Sequence, residues 1–453
     1  MLIEFTAENF RSLKARVTLS LIAAPRKTRS NESNSNNLIF VNERLSLLRG
    51  VAIYGANASG KSNIIRAFAL MRHMVRQSAS YQDEDTLPME PFMLTPHTRT
   101  APSTFEAVFL ISGIQYRYGF TADSARIHAE WLFVLASSRE STLFTRDIEN
   151  RDDTNGIHVN RDKFKEGVGT EKQTGNNQLF LSKVASNQGA MAKEVREFLV
   201  KRCATMNTAN DGTTSYTMKC LHENLSGYRD KIVEMVRRLD VDILDLRVEE
   251  QEIPREVLEQ LVASKQIPED DNERRMVRLF TKHRVRDSDG VPIGEDEFDY
   301  SDSVSDGTRK VIALAGPIVD ALAKGVTVFA DELDSRLHPK LTRALLELFL
   351  SPETNPHNAQ LIFATHDTNL LDRRLLRRDQ IYFCQKERDA TRIYSLADFT
   401  LPEANGGSAR VRKDASFETD YIEGRYGAIP YLGDVRGLFL EEFSLAVADE
   451  AKR

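Results

Sequence analysis

The chain has 453 residues, of which 41% are hydrophobic and 28% are charged, and its formal net charge is −6. This length allows two or three lobes, and the acidic balance argues against a general nucleic-acid coat, although a local basic groove stays possible. Cys203, Cys220 and Cys384 are far apart, so we expect buried free thiols and neither a disulfide framework nor a zinc site. We find no signal-peptide pattern after Met1 and no apolar stretch of membrane-spanning length, and we expect a cytoplasmic protein.

The first part of the chain alternates short apolar runs with polar turns. An apolar run that ends at Tyr54 predicts a buried strand, and helical spacing after Lys61 predicts a helix. Period-two alternation predicts edge strands within 2–22 and further strands at 104–111, 114–120 and 130–135. The polar segment 30–37 is expected to be a loop, and the polar segment 147–178 is expected to be an exposed loop or an insertion.

The remaining segments alternate between helical and strand patterns. Helices are predicted at 190–203, 226–239, 255–264, 308–324, 339–350 and 368–376. Strands are predicted at 276–285, 326–330, 360–364 and 380–384, with an acidic turn at 287–297. Alternating strands and helices are typical of an α/β fold with a parallel sheet.

A phosphate-binding loop is predicted between the strand that ends at Tyr54 and the following helix. Residues 55–62 read Gly-Ala-Asn-Ala-Ser-Gly-Lys-Ser, which is the spacing G-x-x-x-x-G-K-S. Backbone N–H groups of such a loop and the helix N-terminus hold phosphates, and the lysine neutralises their charge. The sequence therefore predicts ATP binding by Gly55, Asn57, Gly60, Lys61, Ser62 and Asn63.

Two acidic residues end the apolar strand 326–330. Buried strands rarely end in two adjacent carboxylates unless these groups bind a ligand or take part in catalysis at the end of the strand. We expect Asp331 and Ser62 to bind Mg²⁺, and Glu332 to act as the general base on the attacking water. The alternative explanation is an ordinary strand end that runs into an acidic turn.

Two further motifs complete the candidate site. His366 follows the strand 360–364 in Ala-Thr-His-Asp, where its ring could bind the γ-phosphate or the attacking water, and we include it with Glu332 and Lys61 among the catalytic residues. The segment Val304-Ser305-Asp306-Gly307-Thr308 precedes a predicted helix, so Ser305 and Gly307 could form an anion site or only a helix cap.

These four motifs, in this order, resemble the ABC-type ATPase head, a group that includes the SMC and Rad50 proteins. The resemblance implies a P-loop fold with a mixed β-sheet and flanking helices, and an ATP site that Ser305 and Gly307 of a second subunit complete. Asp306 and Thr308 depart from the usual signature, and His338 stands where the family's D-loop has aspartate. Gln77, Gln82 and Gln115 are all candidates for the Q-loop glutamine.

The chain is most similar to the compact AAA15 group of these ATPases. The matching segments are Asn9-Phe-Arg-Ser12, the phosphate loop through Asn63, and residues 420–430. Within this group, the ATPases of PARIS-type anti-phage systems are nearest, and those of Rlo-type abortive-infection pairs are the alternative. The resemblance implies a homo-oligomeric sensor or scaffold that holds a toxic effector, such as a Toprim-type nuclease, until a phage-encoded trigger protein appears.

Lys61 and Asp331 are 270 residues apart, which requires an insertion in the head. We predict an N-terminal head part at 1–146, an insertion at 147–270, a C-terminal head part at 271–400 and an extension at 401–453. Heptads are not sustained in the insertion, so it is either a short helical protrusion for oligomerisation or an enlarged helical lobe. Arginine pairs at 237–238, 274–275, 373–374 and 377–378 leave open a repair ATPase that acts on DNA, and a scaffold without turnover is a third possibility.

Overall fold

The computed structural model describes residues 1–25, 35–135, 139–150, 155–207, 212–224, 227–239, 242–252, 275–402, 408–411 and 415–430. The predicted helix 255–264, most of the predicted loop 30–37, Arg274 and residues 431–453 of the predicted extension lie outside these ranges.

The strands of the described residues are numbered in chain order. They are β1 (Leu2–Glu8), β2 (Val17–Ser20), β3 (Leu38–Asn42), β4 (Leu45–Leu48), β5 (Gly50–Tyr54), β6 (Ser103–Ile111), β7 (Ile114–Ala122), β8 (Ile127–Leu135), β9 (Ser141–Asp147), β10 (Ile157–Val159), β11 (Cys203–Asn207), β12 (Ile243–Glu252), β13 (Arg275–Arg286), β14 (Pro292–Asp299), β15 (Thr327–Asp331), β16 (Gln360–Ala364), β17 (Ile381–Glu387), β18 (Ala390–Ser395), β19 (Thr400–Pro402) and β20 (Ser408–Arg410).

The helices are numbered in the same way. They are α1 (Lys61–Gln77), α2 (Pro96–Thr100), α3 (Phe180–Ser186), α4 (Ala190–Lys201), α5 (Gly212–His222), α6 (Tyr228–Leu239), α7 (Tyr300–Ser303), α8 (Asp306–Lys324), α9 (Pro339–Leu350) and α10 (Phe417–Ile422).

Two large sheets organise the fold. The first is antiparallel with the order β10-β9-β8-β7-β6-β1-β2, so β2 is an edge strand but β1 is not, contrary to the prediction for 2–22. The second has the order β11-β15-β16-β5-β17-β18 and is parallel except for β18. The predicted α/β fold, with a mixed sheet and flanking helices, is confirmed.

Helix α1 lies between the two sheets. Its Phe68 ring stacks on Phe329 of β15 at 4.0 Å between centroids and meets Phe5 of β1 edge-on at 5.0 Å. All three rings are buried in one core cluster. Because α1 begins directly after the phosphate loop, this packing fixes the loop relative to both sheets.

Three predicted segments differ from the structure because of local contacts. The supposed loop 147–178 is partly buried, since Phe164 packs against Phe144 in the core. Residues 368–376 form only a 3₁₀ turn at Thr368–Leu370, because Asp367 and Asp372 carboxylates accept from backbone N–H groups of Asn369 and Arg374.

The predicted acidic turn 287–297 is also shorter than expected. Its second half is strand β14, which pairs with β13 along an antiparallel ladder. Ion pairs such as Lys282–Glu295, at 2.6 Å, cross this ladder, so the acidic residues have basic partners on the neighbouring strand.

The insertion supplies helices and strands to the head. Helices α3 and α4 belong to the same core as α1, and α5 and α6 pack with α8 in a separate cluster that contains Ile232, Val236 and Ile312. These four helices therefore pack into buried clusters with the rest of the fold, and the predicted domain boundaries stay a prediction. Strands β10, β11 and β12 and helices α3 and α5 within the insertion were not predicted.

The Gln360 side chain joins both sheets and yields a stability prediction. Its Oε1 accepts from Leu2 N at 2.7 Å and Thr327 Oγ1 at 3.0 Å, and its Nε2 donates to Leu2 O and Leu48 O. Because Gln360 is fully buried, Gln360→Ala removes four buried hydrogen bonds at once. We expect a loss of about 3 kcal/mol in the free energy of unfolding, measured by urea denaturation, whereas exposed Gln173→Ala should change it by less than about 0.5 kcal/mol. An equal effect of the two variants would contradict this account.

Candidate nucleotide site

The sheet order brings the predicted catalytic segments to one edge. Strands β15, β16 and β5 are adjacent and parallel, so their carboxyl ends point the same way. Asp331 ends β15, His366 follows β16 by two residues, and Gly55 follows β5 directly. In open α/β sheets, ligands bind at this edge.

The phosphate loop requires glycine at two positions. Gly60, with φ 106°, precedes α1, and a Cβ there would lie 2.0 Å from Thr391 Oγ1. A Cβ on Gly55 would lie 2.3 Å from the carbonyl oxygen of Cys384. Both glycines allow the backbone to approach its neighbours closely, which leaves room for a compact cradle.

Lys61 points back into the loop. Its Nζ donates to Gly55 O at 2.7 Å and to Ala56 O at 3.1 Å, and the residue is 7% exposed. Burial lowers the pKa of Lys61, while the nearby carboxylates of Asp331 and Asp334 oppose that shift. When a nucleotide binds, the ammonium group of Lys61 can donate to phosphate oxygens in place of these carbonyl oxygens.

The residues present fit both a phosphate and Mg²⁺. The Ser59 hydroxyl is buried in the loop and has no hydrogen-bond partner within the described part of the chain, as expected for a group that awaits an anion. Ser62 Oγ donates to Asp331 Oδ1 at 2.9 Å, which places two hard oxygen ligands side by side. Magnesium prefers oxygen ligands of this kind.

His366 and Glu332 lie beside this pair of oxygens. The backbone N–H of His366 donates to Asp334 Oδ2 at 3.1 Å. Burial, followed by the charge of Lys61, lowers the pKa of His366, so its imidazole is neutral at pH 7. Glu332 is exposed and has a left-handed φ of 51°, a conformation that is uncommon outside glycine.

A hydrogen-bonded chain that sequence analysis missed braces the phosphate loop. Asn63 Nδ2 donates to Ser12 Oγ at 2.7 Å, this hydroxyl bonds Thr391 Oγ1 at 2.7 Å, and Thr391 donates to Ser59 O at 2.7 Å. The chain joins the Asn9–Ser12 segment, the loop and β18. Asn63 therefore stabilises the loop through Ser12. Thr391 could not be predicted from the sequence, because a single threonine on a strand belongs to no recognisable motif.

Ser305 and Gly307 form the first turn of α8. Ser305 Oγ accepts from Thr308 N at 3.2 Å and caps the helix. Ser305 is exposed, and Gly307 lies against Arg336 O. In the described part of the chain, no hydrogen bond or ion pair joins Ser305 to the phosphate loop. Asn57 is exposed in that loop.

Four of the described arginines in these pairs have an acidic partner within the chain. Arg377 is bonded to Asp379 through both Nε and NH2, and Arg374 pairs with Asp372. Arg237 and Arg238 both pair with Glu234. These intrachain partners weaken the case for a DNA-binding face.

The candidate glutamines are spread over separate elements. Gln77 ends α1, Gln82 follows a 3₁₀ turn, and Gln115 lies on β7. The Q-loop assignment therefore stays open.

The three cysteines are free and buried. Among the described helices, none is both long and apolar enough to cross a membrane.

The strand–loop–helix cradle and the acidic end of the neighbouring strand define a P-loop nucleotide-binding protein. Residues 51–167 and 235–372, more than half of the chain, match the family described as "AAA domain, putative AbiEii toxin, Type IV TA system". The chain belongs to this family. The interval between the matched segments contains α3, α4, β11 and α5.

Solved structures with a similar fold include SMC heads. The SMC head domain from Thermotoga maritima matches with a TM-score of 0.36 at 13% identity, over 87% of this chain and 98% of that chain. An SMC head bound to the C-terminal winged-helix domain of ScpA gives 0.39 at 13% identity, over 87% and 97% of the two chains. No curated protein matches the chain. Both TM-scores are below 0.5, so we base the fold class on the strand order of this chain and draw no conclusion about the site from these matches.

Proposed function

We propose that this protein binds and hydrolyses ATP with Mg²⁺ at the edge formed by β5, β15 and β16. The observation that carries the proposal is the contact between Ser62 Oγ and Asp331 Oδ1 beside the buried Lys61. This contact joins the phosphate loop to the acidic strand end, as metal-assisted phosphoryl transfer requires. Membership in a family of AAA domains supports the same conclusion.

Each side chain has a distinct proposed role. Lys61 holds the terminal phosphates, while Ser62 and Asp331 hold the metal. Bound Mg²⁺ would neutralise negative charge on the phosphate oxygens. Glu332, at the exposed tip, takes a proton from the attacking water. Neutral His366 donates or accepts one hydrogen bond at the terminal phosphate or that water.

We further propose that a second copy of the chain completes the site. Ser305 lies exposed at the N-terminus of α8, a helix of 19 residues, where backbone N–H groups and the helix dipole favour an anion. Because Ser305 and Gly307 make their own-chain contacts away from the phosphate loop, they are available to the ATP of a partner. The complete site would then contain residues of two chains.

The concentration dependence of turnover tests this proposal. If the site is composite, the phosphate released per chain rises as the protein concentration passes through the dissociation constant of the dimer. We expect such a rise, followed by a plateau. Constant activity per chain down to concentrations at which light scattering shows only monomer would contradict the composite site. No release at any concentration would favour a nucleotide-gated scaffold.

We also propose a role in bacterial anti-phage defence, in which the ATPase holds or activates a toxic effector. The family description names a putative toxin of a type IV toxin–antitoxin system, which supports this class of role. The matching test expresses the chain together with its genomic neighbour and counts phage plaques. We expect fewer plaques when the chain is present, and we expect the plaque count to differ between the wild type and Glu332→Gln. Equal plaque counts with and without the chain would contradict the proposed role.

A further inference from the structure

Lys310 is a buried cation next to the proposed site. It lies in α8, beyond the cap at Ser305, and is only 5% exposed. Its Nζ donates to Glu332 O at 3.3 Å and to Ser335 Oγ at 3.1 Å. Burial lowers the pKa of Lys310 to about 8, while the carboxylates of Asp334 and Glu332 oppose the shift. A buried ammonium is costly unless such partners hold it.

Two other contacts join the same pair of segments. Asp306, in the first turn of α8, forms an ion pair with Arg336 at 3.6 Å. A Cβ on Gly307 would lie 3.3 Å from Arg336 O, so the two backbones are in close contact. Residues 306–310 of α8 and residues 332–336 therefore contact each other at three places, of which only the Lys310 contact is buried.

The segment 332–336 needs such support because its backbone is unusual. Glu332 has a φ of 51° and Arg336 a φ of 65°, and neither is glycine. Left-handed conformations at such residues persist only when their surroundings hold them. Lys310 bonds the carbonyl oxygen of Glu332 itself, and therefore restrains the peptide that carries the proposed general base.

We propose that Lys310 is a positioning residue that fixes residues 332–336 against the first turn of α8, so that Glu332 and the Ser305 turn move as one unit. The inference rests on the proposed function, which gives Glu332 and Ser305 their roles. In a two-copy assembly, this unit joins the general base of one ATP site to the cap that the same chain offers to the other site. The state of one site is thereby transmitted to the second.

A kinetic comparison tests the effect on Glu332. For Lys310→Met we expect kcat to fall about tenfold or more, because small displacements of a catalytic group are costly, while KM changes by less than about threefold. Lys310→Arg should restore part of kcat. Lys324→Met, at the far end of the same helix, is the matched control and should retain wild-type rates. Unchanged kcat in Lys310→Met, or a loss confined to KM, would overturn the proposal.

Hydrogen exchange of the nucleotide-free protein tests the tether without relying on turnover. In Lys310→Met, amides of 303–310 and 332–337 should exchange at least about threefold faster, while those of β5 and β16 stay as in the wild type. Unchanged exchange in both segments would overturn the tether. If Lys310→Met fails to fold, Ser335→Ala removes one partner of Nζ and should speed exchange in the same two segments, and no change there would overturn it equally. Absence of phosphate release by the wild type would contradict the proposed function alone.

Discussion

Lys61→Ala is expected to weaken ATP binding strongly. Lys61 donates to Gly55 O and Ala56 O from within the loop, and its ammonium lies beside the Ser62–Asp331 pair. Charge-assisted hydrogen bonds to phosphate oxygens are stronger than neutral ones. The loss should be about 3 kcal/mol or more, which raises the Kd for ATP by about 100-fold. Isothermal titration calorimetry measures this change directly.

The control for this variant is Lys201→Ala. Lys201 ends α4, is exposed, and pairs with Glu197, so its removal leaves the loop intact. Exposed pairs of this kind contribute little to stability, and the Kd of this variant should equal that of the wild type. ATP binding by Lys61→Ala with an unchanged Kd would show that the loop does not hold the phosphates.

Glu332→Gln is expected to separate binding from hydrolysis. The amide keeps the size of the side chain but cannot take a proton from water. We expect kcat to fall by about 100-fold to 10,000-fold, the range for removal of a general base, while the Kd for ATP stays within about threefold of the wild type. Because ATP then persists in the site, the dimer should accumulate in a size-exclusion measurement with ATP.

Glu353→Gln is the matched control, since Glu353 is exposed in the turn after α9. It should hydrolyse ATP at the wild-type rate and show no ATP-dependent accumulation of dimer. If Glu332→Gln retained wild-type turnover, Glu332 could not be the base. Asp334, whose Oδ1 is buried and has no hydrogen-bond partner among the described residues, would then be the next carboxylate to test.

Sequence patterns predicted the parts of the fold that local chemistry determines. The buried strand before the phosphate loop, helix α1 and the strands at 104–111 and 114–120, which the turn Ser112-Gly113 joins, all follow from short-range patterns. Both residues of that turn have positive φ, 50° and 82°, as a two-residue hairpin requires. Gly325, with φ 67°, ends α8 where predicted.

Most of the errors came from interactions between residues that are far apart in the sequence. β1 is an inner strand because β6, about 100 residues later, pairs with its second edge. The supposed loop 147–178 is held by aromatic packing of Phe164. The turn that replaces the predicted helix 368–376 is instead a local effect, because the Asp367 carboxylate accepts from the backbone N–H of Asn369. The order of the parallel strands, which places β16 between β15 and β5, also depends on long-range pairing.

The candidate site shows the same division. The phosphate loop, Asp331, Glu332 and His366 have recognisable spacing, and the structure brings them to one edge of the sheet. Thr391 and Lys310 act through contacts with residues distant in sequence, and only the folded chain reveals them. Lys310 stands in the segment that follows Ser305, but the sequence did not indicate that its side chain points toward Glu332.

The most direct test of the central claim, that two chains share each ATP site, is a mixing experiment. Lys61→Ala should inactivate the loop of one chain, and Ser305→Arg should block the cap of another, so each variant alone should release no phosphate. In an equimolar mixture, half of the dimers contain one intact site, so about a quarter of wild-type activity should return. A mixture as inactive as its two components, although subunit exchange is shown by differential labelling, would contradict the shared site.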